Sequence, residues 1–237
     1  MSAGIEAVVF DWGGTLTAWH DIDFHAESLA LAQAVVNAEH DIDVSQARLH
    51  AANQAIWGRS RDHQQSATVA DLFAEAGLDH DPELLRAYYE FWEPHTATDP
   101  EVRPMWEELR STGLKVGVLS NTVWPREWHV GFFERDGVYD LVDGDVYTSE
   151  VPWTKPSPLA FGAAMEAVGV SDPAACVYVG DRLFDDVWGA HNAGLRAIHV
   201  PLSTIPVSRV GHTEGEPDAS ITSLLEIPPI VRRWSED

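Results

Sequence analysis

Apolar residues in this chain follow two patterns, and the stretch where one replaces the other outlines the architecture. Val8-Val9-Phe10, Leu114 to Leu119, Cys176 to Val179 and Arg196 to Val200 are short apolar runs bounded by turn residues, the signature of strands buried on both faces. A further strand-like segment lies near Asp145 to Thr148. Between the first two runs, from Trp19 to about Glu93, apolar residues recur instead at helical spacing. This predicts helices over Phe24 to His40 (Leu29, Ala32, Val36), Ala47 to Trp57, Val69 to Leu78 behind Ser66 as cap, and Leu84 to Trp92 after Asp81-Pro82. From about Thr98 strands and helices alternate, with helices over Pro104 to Ser111 (Gly113 as C-cap), Arg126 to Arg135, Pro158 to Val168 (ended by Gly169) and Leu183 to Asn192. The tail around Ile227-Pro228-Pro229-Ile230 fits no single pattern. Repeated strand-helix units predict an α/β fold with a doubly wound, Rossmann-like parallel sheet. Residues 1–17 and 97–237 would form that core, and 18–96 an inserted all-helical domain.

Composition narrows the function. A net charge of −23 argues against nucleic acid and anionic membrane surfaces, which require basic patches. The start, Met1-Ser2-Ala3-Gly4-Ile5-Glu6, lacks the basic and apolar regions of a leader, and no stretch approaches a membrane span. With Cys176 as the single cysteine, within an apolar run, a reducing, cytoplasmic setting is expected. A monomer or homodimer fits this picture. Lys115 and Lys155 are the only lysines, so a chain this acidic that binds a phosphate needs a metal ion and a well-placed cation.

Candidate chemistry gathers at the strand ends, where ligands bind in parallel sheets. Asp11 follows the first strand and is followed by Gly13 and Gly14, which let the main chain approach a ligand. Ser120-Asn121 ends the second run. Lys155 precedes a helix start, a position unfavourable for a cation because of the helix dipole, and that mismatch points to a task. Gly180-Asp181 ends the Cys176 run, with Asp185 and Asp186 just beyond; carboxylates clustered at a sheet rim suit Mg²⁺, although the last two also suit a helix N-terminus. No His or Cys spacing suggests zinc, and no dinucleotide or ATP-type glycine loop occurs.

In this order the four segments resemble the motifs of the haloacid dehalogenase superfamily of phosphohydrolases. The resemblance implies that Asp11 attacks phosphorus to form an aspartyl-phosphate, that Lys155 compensates charge, and that Gly14, Thr15, Ser120, Asn121 and Lys155 bind the substrate's phosphoryl group. It also implies that Asp11, the Gly13 carbonyl, Asp181 and Asp186 hold Mg²⁺, that the helical insert is a cap closing over the site, and that the substrate is a small phosphorylated molecule.

The first motif departs from the family pattern Asp-x-Asp-Gly-Thr: it stands as Asp11-Trp12-Gly13-Gly14-Thr15, so the second Asp, which protonates the leaving oxygen, is missing. Phosphonoacetaldehyde hydrolase also lacks that acid but uses a cap lysine, and residues 18–96 contain none. The dehalogenase branch lacks both acid and metal, and Gly180-Asp181 points away from it. A phosphatase is the first reading; a metal-free dehalogenase, a phosphonatase-like enzyme, or a weakened relative that binds a phosphorylated ligand are the alternatives. His20, Asp21, Asp23 and His25 are candidates for a substitute acid. Trp12, Trp124, Trp153 and Trp188 lie beside the motifs, either lining an aromatic pocket or packing helices on the sheet.

Overall fold

The computed structural model describes residues 4–18, 22–35, 41–201 and 212–236. Six parallel strands form one sheet: β1 (Ala7–Phe10), β2 (Lys115–Ser120), β3 (Gly144–Tyr147), β4 (Cys176–Gly180), β5 (Arg196–His199) and β6 (Ala219–Ser220), in the order β3-β2-β1-β4-β5-β6. The chain winds outward from β1 through β2 to β3, then crosses back to β4 on the other side of β1. That reversal opens a crevice at the carboxyl ends of β1 and β4, the place where doubly wound sheets bind ligands.

Side-chain alternation distributes each strand between two apolar layers. Val8, Phe10, Val118 and Val179 face α5 (Val102–Ser111), α6 (Arg126–Arg135) and α9 (Ile227–Glu236), where Phe10 meets Trp106 edge-on at 5.9 Å. Ala7, Val9 and Tyr178 face α7 (Pro158–Ala167) and α8, a wide π turn at Leu183–Trp188 running into an α-helical turn at Gly189–Asn192. Burying each of these large side chains contributes about 1.5–3 kcal/mol.

Between β1 and β2 the chain forms α1 (Phe24–Ala34), α2 (Ile42–His63), α3 (Val69–Glu75) and α4 (Pro82–Trp92). The insert leaves and rejoins the sheet at one point, where Thr17 pairs with Thr98 and the Asp99 N–H donates to the Leu16 carbonyl at 2.8 Å. Its apolar interior is continuous with the sheet's first layer through Leu31, Leu49, Ile56, Phe73 and Tyr88.

Several boundaries differ from expectation, each for a local reason. Helix α2 is 22 residues long, because Ser45, Leu49, Ala52, Ile56 and Ser60 form one buried stripe along its whole length. Thr68, not Ser66, caps α3: its hydroxyl accepts from the Asp71 N–H while the Asp71 carboxylate accepts from the Thr68 N–H, a closed capping box. The first helix is described to Ala34; its expected continuation at residues 36–40 lies outside the described residues. The ambiguous tail is helix α9, with Pro228 and Pro229 in the first turn, where the N–H groups have no intrahelical acceptor in any case. Among the described residues no helix is long and apolar enough to cross a membrane.

Candidate active site

Asp11 leaves β1 with its N–H held by the Val179 carbonyl at 2.8 Å, which ties it to β4. The chain then curls so that the N–H groups of Leu16 and Thr17 donate to the Trp12 carbonyl at 2.9 and 3.0 Å, a turn requiring φ = +89° at Gly14. The Gly14 N–H closes the loop onto the Thr17 carbonyl at 2.8 Å, and the Gly13 carbonyl has no hydrogen-bond partner among the described residues. Thr15 is buried, and its hydroxyl has no hydrogen-bond partner among the described residues.

Lys155 reaches Asp11 from the loop before α7. Its ammonium donates to Asp11 Oδ1 at 2.6 Å, Asp186 Oδ1 at 2.6 Å and the Tyr178 hydroxyl at 2.9 Å, which engages all three of its protons. The Asn121 side chain fixes the backbone beneath it: Nδ2 donates to the Lys155 carbonyl at 3.1 Å and Oδ1 accepts from the Lys155 N–H at 2.8 Å. Asn121 thus lies at the site as expected, with its side-chain amide committed to the lysine loop. Ser120 ends β2 beside it, buried, on the wall of the same cavity.

Asp181 follows β4, and its carbonyl accepts from His199 Nε2 at 3.0 Å. Asp186 folds back from the π turn, where Oδ2 accepts from the Arg182 N–H at 2.8 Å. One oxygen from each of Asp11, Asp181 and Asp186 lies within 4.8 Å of the others, and all three residues are buried. Asp185 is not in this cluster; it pairs with Arg182 at 3.3 Å. A Cβ at Gly180 would sit 2.3 Å from Asp186 Cγ, so only glycine leaves room for that carboxylate. Gly180→Ala is therefore expected to displace Asp186 and loosen Lys155; a drop in Tm together with lost turnover checks this, and wild-type values for both would refute it.

Charges at the site are close and unequal. Burial raises the pKa of Asp11; Lys155 opposes the rise and Asp186 adds to it. Burial works against the Lys155 ammonium, but Asp11 and Asp186 outweigh it and keep the lysine protonated. Four carboxylates, those of Asp11, Asp181, Asp185 and Asp186, surround two cations, Lys155 and Arg182, leaving an excess of two negative charges. An all-oxygen donor set with that excess fits a divalent hard cation.

The cluster forms the floor of a cavity of about 590 Å³ whose opposite wall is the helical insert. Helix α2 presents His50, Asn53, Gln54, Trp57 and Arg61, and α4 presents Tyr88 and Trp92. Buried Glu27 steadies this wall, accepting from Trp92 Nε1 at 2.9 Å and Asn53 Nδ2 at 3.2 Å. Trp12 and Trp124 complete an aromatic side, 5.6 Å apart and edge-on. Trp153 and Trp188 do not line the cavity, and both are exposed outside the apolar layers, Trp188 stacking on Phe184 at 4.9 Å, so neither the pocket nor the helix-on-sheet packing accounts for them.

The wall residues of α2 went unread in the sequence although a signal exists: positions 50, 53, 54, 57 and 61 recur at helical spacing beside the buried stripe. The substitute acids fare poorly. Asp23 caps α1, accepting from the His25 and Ala26 N–H groups, His25 is exposed against Gln46, and neither lines the cavity. His20 and Asp21 lie outside the described residues.

The insert and the loop that carries Lys155 are also sewn together. Helix α2 ends at Gln64 (φ = +53°), whose carbonyl accepts from the Thr154 N–H at 3.1 Å, and the Ser66 N–H donates to the Pro152 carbonyl at 3.3 Å. At the first residue of α3, the Val69 N–H donates to the Val123 carbonyl at 2.8 Å.

A sequence model of the haloacid dehalogenase-like hydrolases matches residues 5–194. The chain is 26% identical to a glyceraldehyde 3-phosphate phosphatase of Methanopyrus kandleri over 98% of this chain and 100% of that one. It is 30% identical to a phosphonoacetaldehyde hydrolase of Pseudomonas aeruginosa over 82% of this chain and 70% of that one. Among solved structures, a HAD phosphatase from Thermococcus onnurineus superposes with a TM-score of 0.67 at 27% identity, covering 96% of this chain and 98% of that one. An L-2-haloacid dehalogenase from Xanthobacter autotrophicus shares the fold, with a TM-score of 0.61 at 22% identity over 96% and 98% of the two chains.

Proposed function

This chain belongs to the haloacid dehalogenase-like hydrolases, and from that premise we propose that it is a Mg²⁺-dependent phosphatase acting on a small phosphorylated molecule through an aspartyl-phosphate on Asp11. The observation that carries the reading is the buried bridge Asp11–Lys155–Asp186 at the floor of the cavity, with Asp181 in the same cluster. On this reading Asp11, Asp181, Asp186 and the Gly13 carbonyl hold the metal, which supplies charge neutralisation at the phosphoryl oxygens. Lys155 keeps Asp11 ionised and aims its free oxygen at phosphorus. Ser120, Thr15 and the main chain at Asn121 receive the phosphoryl oxygens, while Gly14, expected among them, has its N–H committed to the Thr17 carbonyl and shapes the loop instead. Residues 18–96 act as a cap over a core of 1–17 and 97–237, excluding water and contacting the leaving group. The surplus negative charge favours this reading over a metal-free dehalogenase. The placement of both lysines disfavours a Schiff base: Lys155 is engaged by Asp11, and Lys115 is exposed at the far end of β2.

Phosphate release from a panel of esters, with Mg²⁺ and with chelator, tests the assignment. No turnover of any ester, or full turnover in excess chelator, would contradict it.

Gly13 gives a sharper expectation. Without an acid there the leaving oxygen departs largely as an anion, so aryl and acyl phosphates should be cleaved and alkyl phosphates poorly. Gly13 is not among the glycines with positive φ, and a Cβ there meets nothing within 4 Å. Gly13→Asp should therefore fold normally and raise alkyl phosphate turnover by up to about 10²-fold, the lower end of general-acid contributions, with less effect on aryl esters. Equal effects on both ester classes would show that the new carboxyl is not acting as an acid.

A further inference from the structure

We propose that Arg182 is a catalytic residue of this site, its guanidinium stabilising the oxygen that leaves phosphorus and so replacing with a fixed charge the proton donor that Gly13 cannot supply. The inference rests on the phosphatase reading above. Arg182 lines the cavity together with Asp11, Lys155 and Ser120. Its backbone is held rigidly: the N–H donates to Asp186 Oδ2 at 2.8 Å, and the carbonyl accepts from the Asp186 and Val187 N–H groups at 3.1 and 3.2 Å. The side chain is free to do more. Among the described residues its guanidinium makes one hydrogen bond, to Asp185 Oδ2 at 3.3 Å, and 30% of the side chain remains accessible. An arginine has five N–H donors, so four are without a hydrogen-bond partner among the described residues.

Position and charge suit the step that Gly13 leaves unassisted. As Asp11 Oδ forms its bond to phosphorus, the ester P–O bond breaks and its electron pair stays on the leaving oxygen. With no carboxylic acid at position 13, that oxygen carries a full negative charge until water protonates it. A guanidinium donor stabilises such an anion in a water-poor cavity, where one fixed donor to a developing oxyanion is worth about 10²–10³ in rate. Asp185 then serves as the residue that aims Arg182, which accounts for a carboxylate paired outside the three-acid cluster.

A role limited to balancing the acidic cluster would slow every substrate alike, whereas contact with the leaving oxygen must show in the dependence on leaving-group basicity. The experiment measures kcat/KM of wild type, Arg182→Gln and Arg182→Lys on a series of substituted phenyl phosphates and an alkyl phosphate, with Mg²⁺ saturating each variant. The expected result is a steeper dependence for Arg182→Gln: under about tenfold loss on p-nitrophenyl phosphate, rising to about 10²–10³-fold on the most basic leaving groups. Arg182→Lys should fall between, and added guanidinium ion should restore part of the activity of Arg182→Ala. Should Arg182→Gln not fold, the Lys variant and the guanidinium titration carry the same readout. A loss uniform across the series, with no guanidinium rescue, overturns the proposal while leaving the phosphatase reading intact. No wild-type turnover on any ester overturns both.

Discussion

Asp11→Asn abolishes turnover, lowering kcat by on the order of 10⁴-fold or more, the scale seen when a covalent nucleophile is removed. An amide has the shape of the carboxylate but no charge to bring to phosphorus. The fold should survive, because Asn Oδ1 still accepts from the Lys155 ammonium, which also keeps Asp186 and Tyr178. Stability should even improve at neutral pH. Burial raises the Asp11 pKa in the folded chain, so between its unfolded and folded values the native state holds more protons than the unfolded one. Stability contributed by that group is then present at low pH and falls as pH rises through this window, and an uncharged asparagine removes the loss. Phosphate release together with thermal unfolding checks both halves. Turnover near the wild-type rate by Asp11→Asn would sink the assignment of the nucleophile.

Lys155→Met is expected to damage turnover and stability together, unlike the Asp11 change. Removing the ammonium leaves Asp11 and Asp186 facing each other in a buried site with no cation between them, and breaking a buried pair on one side costs about 3–5 kcal/mol. Turnover should fall by at least about 10²–10³-fold, the contribution of one preorganised charge at a reacting oxyanion. Lys115 offers no substitute: it begins the strand that Ser120 ends, about 17 Å away by strand rise, and its ammonium lies 3.7 Å from Asp143. Mg²⁺ should restore part of the lost Tm by supplying positive charge to the same carboxylates. A variant with unchanged Tm and more than half of wild-type activity would show that the bridge matters to neither property.

Asp11, Ser120 and Asp181 were legible because each terminates a continuous apolar run, and only a strand buried on both faces produces such a run. Lys155 was legible from its misplacement against a helix dipole. The choice of Asp186 over Asp185 was less so, since both suit a helix start; the π turn at Leu183–Trp188 and the missing Cβ of Gly180 decide it, and both are three-dimensional facts. The substrate wall was harder still. His50, Asn53 and Gln54 are ordinary polar residues of an exposed-looking helix until the fold places them opposite Asp11. Arg182 carries no signal of its own in the sequence, since an arginine between Asp181 and Asp185 suits a plain ion pair, and only the fold places it on the cavity wall.

The stitching between Gln64, Ser66 and the Pro152–Thr154 segment has a consequence for anyone wishing to redirect this enzyme to another substrate. Helices α1 to α4 look like an exchangeable module, entering and leaving beside each other at Thr17 and Thr98. Yet the turn after α2 contributes main-chain bonds to the same loop whose next residue is Lys155. A graft that imports foreign helices with a foreign turn would unmoor the Lys155 ammonium even if every wall residue were chosen well. The smallest portable unit is the helical insert together with residues 152–157 and the turn at Val123 that holds the start of α3, and a chimera built on that boundary should keep its chemistry while changing what it recognises.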